Sequence, residues 1–142
     1  MKLELEKTDV WVASLKDKPG ALAQALKTLH EAGVNLEFAI GRKAPEKKGA
    51  GVVFVTPIKG AKQIKAAKAA GFAKTKSLHS IRVVCNDVPG LGVMLAEALA
   101  AAKINLRGIS AASLGKKAVT NISFSTAADA AAGMRCLKKL SK

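Results

Sequence analysis

Apolar positions along the chain follow two rhythms that alternate in a fixed order. Trp11, Ala13 and Leu15 fall on every second residue, the period of a strand with one face against a core. Leu22, Ala25, Leu26, Leu29 and Ala32 then recur at three- and four-residue spacing, which predicts an amphipathic helix closed by Gly33. Val34, Leu36, Phe38 and Ile40 return to period two, as one face of a second strand. "RKAPEKKG" (42–49) reads as a polar turn, "AGVVFVT" (50–56) as a third strand, and 59–70 as a second helix. "FAKTKSL" (72–78) suits a fourth strand that runs on into a second copy of the pattern. The order then begins again. Ile81, Val83 and Cys85 alternate, and Leu91, Met94 or Leu95, Ala98, Leu99 and Ala102 form a helical stripe. A strand from 104, a turn at "LGKK", a strand over 118–124 and a helix over 127–140 complete the second copy.

The repetition is also literal. Shifting the chain by 70 positions aligns Asp17 with Asp87, Pro19 with Pro89, Gly20 with Gly90, Leu29 with Leu99, Ala32 with Ala102, Asn35 with Asn105 and Leu36 with Leu106. The expected fold class is α+β: two ferredoxin-like β-α-β-β-α-β repeats, over 1–77 and 78–142, with helices on one face of antiparallel sheets. After the last helix only Ser141 and Lys142 remain, so the second repeat is expected to lack its last strand. That leaves a sheet edge for a partner to cover.

Composition narrows the class. Apolar residues make up 49%, enough for a packed core. "MKLELEKTDV" has no continuous apolar run, which argues against a signal peptide, and nothing later is long and apolar enough to span a membrane. Cys85 and Cys136 stand far apart and read as reduced thiols, so a cytoplasmic protein is expected. The formal charge of +14 suggests nucleic acid, yet 20 of the 24 basic residues are lysines, and both halves share the charge.

"DKPGALAQALKTLHEAGVNLEFA" resembles the opening of an ACT domain, a small ligand-sensing module found attached to enzymes of amino-acid metabolism, and "DVPGLGVMLAEALAAAKINLRGI" resembles a second. The chain as a whole resembles stand-alone tandem ACT proteins, which carry no catalytic domain. The resemblance implies a non-enzymatic regulator that binds an amino acid or similar small zwitterion, acts as a homodimer, and passes its state to a separate enzyme or regulator. In serine-sensing members, contacts come from a polar residue two before the Pro and an Asn sixteen after it; here these are Asp17 and Asp87, then Asn35 and Asn105. Such members also use a His four before the Pro, where this chain has Leu15 and Cys85, which argues against serine.

The chemistry of these segments suits such a ligand. The candidate binding residues are Asp17, Lys18, Pro19, Gly20, Ala21 and Asn35 in one copy, and Asp87, Val88, Pro89, Gly90, Leu91 and Asn105 in the other. A helix N-terminus offers unpaired N–H groups to a carboxylate. Gly20 and Gly90 let a ligand approach the backbone, and Asp17 and Asp87 can accept from an ammonium. The helix between turn and Asn, about 20 Å long by this reading, keeps Asp17 and Asn35 from sharing one ligand within a copy. Paired copies solve this: Asp17 with Asn105 and Asp87 with Asn35, or like copies across two subunits. The plainer alternative is that both aspartates only cap helices and Pro-Gly only marks turns.

Other features are weaker. Lys59, Lys62, Lys65 and Lys68 are expected to be solvated opposite Ala61, Ile64 and Ala67. RNA-recognition modules share this topology but stack bases on open sheet aromatics. Trp11 and Phe38 fall in alternations that read as core-facing, so a lysine-rich nucleic-acid binder ranks second, and a ligand-free regulatory subunit of an enzyme third. His30 and His79 stand without metal-ligand spacing, "GLG" (90–92) lacks a third dinucleotide-site glycine, and no nucleophile–base pair is evident. No catalytic residue, cofactor or metal is therefore expected.

Overall fold

A computed structural model describes all 142 residues. Its elements, in chain order, are β1 (Glu4–Thr8), β2 (Trp11–Lys16), α1 (Ala21–Glu31), β3 (Phe38–Lys43), β4 (Ala50–Thr56), α2 (Gly60–Ala69), β5 (Ala73–Lys74), β6 (His79–Asn86), α3 (Leu91–Ala101), β7 (Gly108–Leu114), β8 (Lys117–Phe124) and α4 (Ala127–Leu140). They form two antiparallel four-stranded sheets, ordered β3-β4-β2-β5 and β1-β6-β8-β7. Each is the sheet of a ferredoxin-like repeat.

The first repeat is the compact unit Asp9–Thr75. Trp11, Ala13, Val53 and Val55 turn inward from its central strands and meet Ala25 and Leu29 of α1, Ala67 of α2, and Phe72. The lysines of α2 face water as expected, although Ala61 is exposed beside them. β5 is much shorter than expected, pairing only Trp11 with Lys74 and Val12 with Ala73.

The second unit joins Lys76–Lys142 with Met1–Thr8. No strand follows α4. Its place in the sheet is filled by β1, which runs antiparallel to β6 with Glu4 opposite Val84 and Thr8 opposite Ser80. The division at 77/78 is thus corrected in its first eight residues, which belong to the second repeat. The cause is their alternation. Leu3 is buried in the core of Ile81, Val83, Leu95, Leu99, Ile122 and Leu137, with Leu5 packed against it, while Glu4 and Glu6 face water. The Leu3 N–H also donates to Ser141 Oγ at 2.8 Å, tying the start of the chain to the end of α4.

The two repeats keep one offset only up to the hairpin. Trp11 pairs with Val55 and Ile81 with Ile122, so the offset of 70 falls to 67 beyond it. The hairpin after β3 spans residues 44–49, whereas β7 and β8 are joined by Gly115 and Lys116 alone.

Helix ends differ in one informative place. Gly33 closes α1 with φ 86°, and its counterpart after α3 is Lys103 with φ 60°. A left-handed conformation costs a side-chain-bearing residue roughly 1–2 kcal/mol. Lys103→Gly is therefore expected to raise stability by about 1 kcal/mol in urea unfolding, since Gly also loosens the unfolded chain and gives part of the gain back. An unchanged or lower midpoint would show that Lys103 is held there by something its φ does not reveal.

Candidate functional site

Asp17 and Asp87 stand at the ends of β2 and β6, where strand turns into helix. Both turns are built alike. Ala21 N–H donates to Lys18 O at 3.4 Å, and Leu91 N–H to Val88 O at 3.3 Å. Pro takes the second position, and Gly20 (φ 89°, ψ −16°) or Gly90 (φ 81°, ψ 6°) the third. These are the angles of a type II turn, which requires glycine there. The prolines precede the helices rather than sitting in their first turns. The last residue of each facing hairpin anchors the turn: Asp17 N–H donates to Gly49 O at 3.0 Å and Asp87 N–H to Lys116 O at 2.9 Å.

Neither aspartate caps its helix. No side chain caps α1 or α3. The first helical bonds come from Gln24 N–H to Gly20 O and Met94 N–H to Gly90 O. The N–H groups of Leu22 and Ala23, and of Gly92 and Val93, therefore point out of the helix ends unpaired, at exposed residues. A Cβ added at Gly20, Gly90 or Gly92 would meet nothing within 4 Å, so the space in front of each turn is open. The structure thus removes the capping explanation for Asp17 and Asp87.

The two turns differ electrostatically. The Asp17 carboxylate pairs with Lys43 Nζ of β3 at 3.1 Å. Asp87 is exposed and forms no ion pair, while Val88 replaces Lys18 beside it. Four residues before each Pro, Leu15 is half-buried and Cys85 is buried. Burial pushes the Cys85 thiol above its ordinary pKa, more strongly than nearby Lys117 lowers it, and Asp87 adds to the rise. The thiol is protonated at neutral pH and serves as a packing group.

Asn35 and Asn105 are exposed and lie at the far ends of α1 and α3, past the chain reversals closed by Val34 N–H to Leu29 O and Ile104 N–H to Leu99 O. Each helix has 11 residues, or about 16 Å of rise. The turn and the Asn of one repeat are thus held at opposite ends of one helix. Surface grooves lie elsewhere: one beside β5 (Trp11, Ile58, Phe72), one between α3 and α4 (Ala98, Ile104, Cys136) and one beside the start of α4 (Lys7, Ile81, Ala130). No group of three His, Cys, Asp or Glu residues is placed to hold a metal ion, and no helix is long and apolar enough to cross a membrane.

One expectation fails on the sheet itself. Phe38 is not core-facing. Val34 and Leu36 do pack into the first core, but the chain bends at Glu37, whose N–H donates to Thr56 O at 3.0 Å. Past the bend Ala39 lies opposite Val55, and Phe38 and Ile40 turn to the face away from the helices. The same bend recurs at Arg107, which donates to Ser123 O. Alternation alone cannot register a bend that shifts its phase.

The ACT domain family model matches residues 12–70. Among solved structures, a protein of Bacteroides thetaiotaomicron is similar over 97% of this chain and 90% of its own, with a TM-score of 0.76 and 18% identity. The ligand-free regulatory subunit of aspartate kinase from Thermus thermophilus is similar over 100% of this chain and 98% of its own (TM-score 0.66, 15% identity). That of Thermus flavus covers the same shares with a TM-score of 0.64 and 14% identity. No curated protein matches the sequence. These likenesses show the fold, two ferredoxin-like repeats in one chain. Residues 12–70 thus match the ACT domain family, and the second repeat has the same topology as the first.

Proposed function

We propose that the protein is a non-enzymatic sensor of an amino acid or similar small zwitterion, which binds between the turn of one repeat and the Asn of another. The ligand state is passed to a separate enzyme or regulator. The observation that carries this reading is the twice-built turn: uncapped helix N–H groups facing open space beside an aspartate that caps nothing. The ligand carboxylate meets those N–H groups and the helix dipole. Its ammonium meets an aspartate, and the amide of Asn35 or Asn105 serves whichever group reaches it. The second turn is the better ammonium acceptor, because Lys43 already neutralises Asp17. A regulatory role is supported by the likeness to regulatory subunits of aspartate kinase.

Pairing of copies is supported by the sheet edges. β3 and β7 are outermost in their sheets, with no strand on their outer sides. Beside them stand exposed Leu22, Val93 and Ile109. Edge-to-edge pairing in a homodimer covers these groups and brings each turn to the Asn of a repeat in the other subunit. Ligand and pairing then stabilise one another.

Thermal melts against the twenty amino acids test the proposal. A ligand at 100 times its Kd adds about 2.7 kcal/mol, and Asp87→Ala and Asn35→Ala should each abolish the shift, their effects being strongly non-additive. No shift with any amino acid, while a partner enzyme still binds, would replace this reading with a ligand-free regulatory subunit. Coupling of Asp87 to Asn105 instead would mean that like repeats pair across two subunits.

A further inference from the structure

The outer faces of the two sheets are chemically unlike. In the first repeat, Val12 of β2, Phe54 of β4 and Phe38 and Ile40 of β3 project away from the helices. Ile40 is 41% exposed, and the other three are half-buried. The Arg42 guanidinium lies over the Phe54 ring, 5.9 Å from its centroid. At the equivalent ladder positions the second repeat has Arg82, Asn121, Gly108 and Ser110. The shared fold therefore does not require an apolar, aromatic outer face, and a patch confined to one repeat marks a contact surface.

Charge selects the occupant. Lys16 and Arg42 are the charged residues on this face, with no acid among its strand positions, and the chain carries +14. Two copies packed face to face would bring like charges together. A polyanion with flat, apolar faces suits the surface better. The hairpin that follows β3 adds Lys47 and Lys48 at the end of the same sheet, against a single acid, Glu46. We propose that this face binds single-stranded nucleic acid, with bases stacked on Phe38 and Phe54 and phosphates met by Arg42, Lys16, Lys47 and Lys48.

Stacking on an aromatic ring needs an unpaired base, because the faces of bases in a duplex are covered by their neighbours. Arg42 already reaches the outer face of the Phe54 ring, so a base can reach it from the same side. The guanidinium then stacks on the base or moves to a phosphate on its flexible stem. Contacts made mainly by lysine are to the backbone, which makes binding tolerant of sequence and sensitive to salt. The face lies on the opposite side of the sheet from α1 and α2, so pairing of the β3 edge does not itself cover it.

The test uses the full chain and fluorescence anisotropy with twelve-nucleotide oligouridylate, oligothymidylate and a duplex of the same length. Both single strands are expected to bind at about 50 mM salt and to weaken steeply as salt rises. The duplex should bind at least tenfold less tightly. The ratio between the two single strands shows whether the natural ligand is RNA or DNA. Phe54→Leu and Arg42→Gln should each weaken binding about tenfold, the effect of losing a stacked base or a charge-assisted contact. Lys62→Gln and Lys65→Gln on α2 should change it less than threefold. Arg42 is exposed, so its variant reports even if the Phe54 variant folds poorly. No binding at low salt, equal binding of duplex, or a loss as large from the α2 variants as from Arg42→Gln would overturn the proposal.

Discussion

Deleting residues 1–8 is expected to unfold the second repeat and leave the first one folded. β1 lies at the far end of the chain from the helices it packs under, yet it closes the sheet that contains β6, β7 and β8. Its loss strips five ladder positions from β6. It also removes Leu3, which is 6% exposed, and Leu5 from the core. Full burial of a leucine is worth about 1.5–3 kcal/mol, so Leu3 with the half-buried Leu5 supplies a large share of the stability of a small unit. The uncovered core of Ile81, Val83 and Leu137 and the bare edge of β6 then add a tendency to aggregate. Asp9–Thr75 loses nothing comparable, because its core of Trp11, Leu29, Val53, Val55 and Phe72 draws on no residue before Val10. Hydrogen exchange read by peptide mass separates the two units directly. Peptides from 79–140 should lose protection while those from 11–70 keep it. Equal loss in both, or in neither, would show that the repeats are not the separate folding units their cores indicate.

That same strand marks where sequence reading stops. Within each repeat the elements were legible because their signals are local: period two in Trp11, Ala13 and Leu15, helical spacing up to Leu29, Gly33 at the helix end. The absence of a strand after α4 was legible too. The strand that fills the gap was not, because β1 pairs with residues about 80 positions away and no local pattern encodes that distance. Its trace was the alternation of Leu3 and Leu5 with Glu4 and Glu6, which has the period of a strand but does not name the strand's partner. Phe38 was misplaced for a related reason. A single bend at Glu37 reverses which face each later residue takes, and period-two reasoning assumes no bend. The candidate site was legible as a repeated D-x-P-G turn. That its aspartates leave the helices uncapped depends on where carboxylates point, which spacing does not specify.

A second large effect is expected at Gly133, in the middle of α4. A Cβ built there would stand 2.6 Å from Phe124 Cζ and 3.0 Å from Cε1. The ring cannot withdraw, since Phe124 is fully buried between β8 and the helices. Replacing a helical glycine ordinarily gains up to about 1 kcal/mol for alanine and less for a β-branched residue. Overpacking costs roughly 1–3 kcal/mol and more when backbone must move. Gly133→Val adds three carbons against the ring, so packing wins, and a loss of about 3 kcal/mol is expected in denaturant unfolding. Gly92→Ala supplies the opposite sign. It lies in the first turn of α3 with nothing within 4 Å of the added carbon, and it should gain about 0.5 kcal/mol. The same methyl would stand beside the open N–H groups of Gly92 and Val93. If those groups hold a ligand carboxylate, Gly92→Ala should weaken amino-acid binding while it strengthens the fold, whereas Gly133→Val should weaken the fold alone. A parallel change of stability and binding in both variants would mean that the turn before α3 responds only to global stability and holds no ligand.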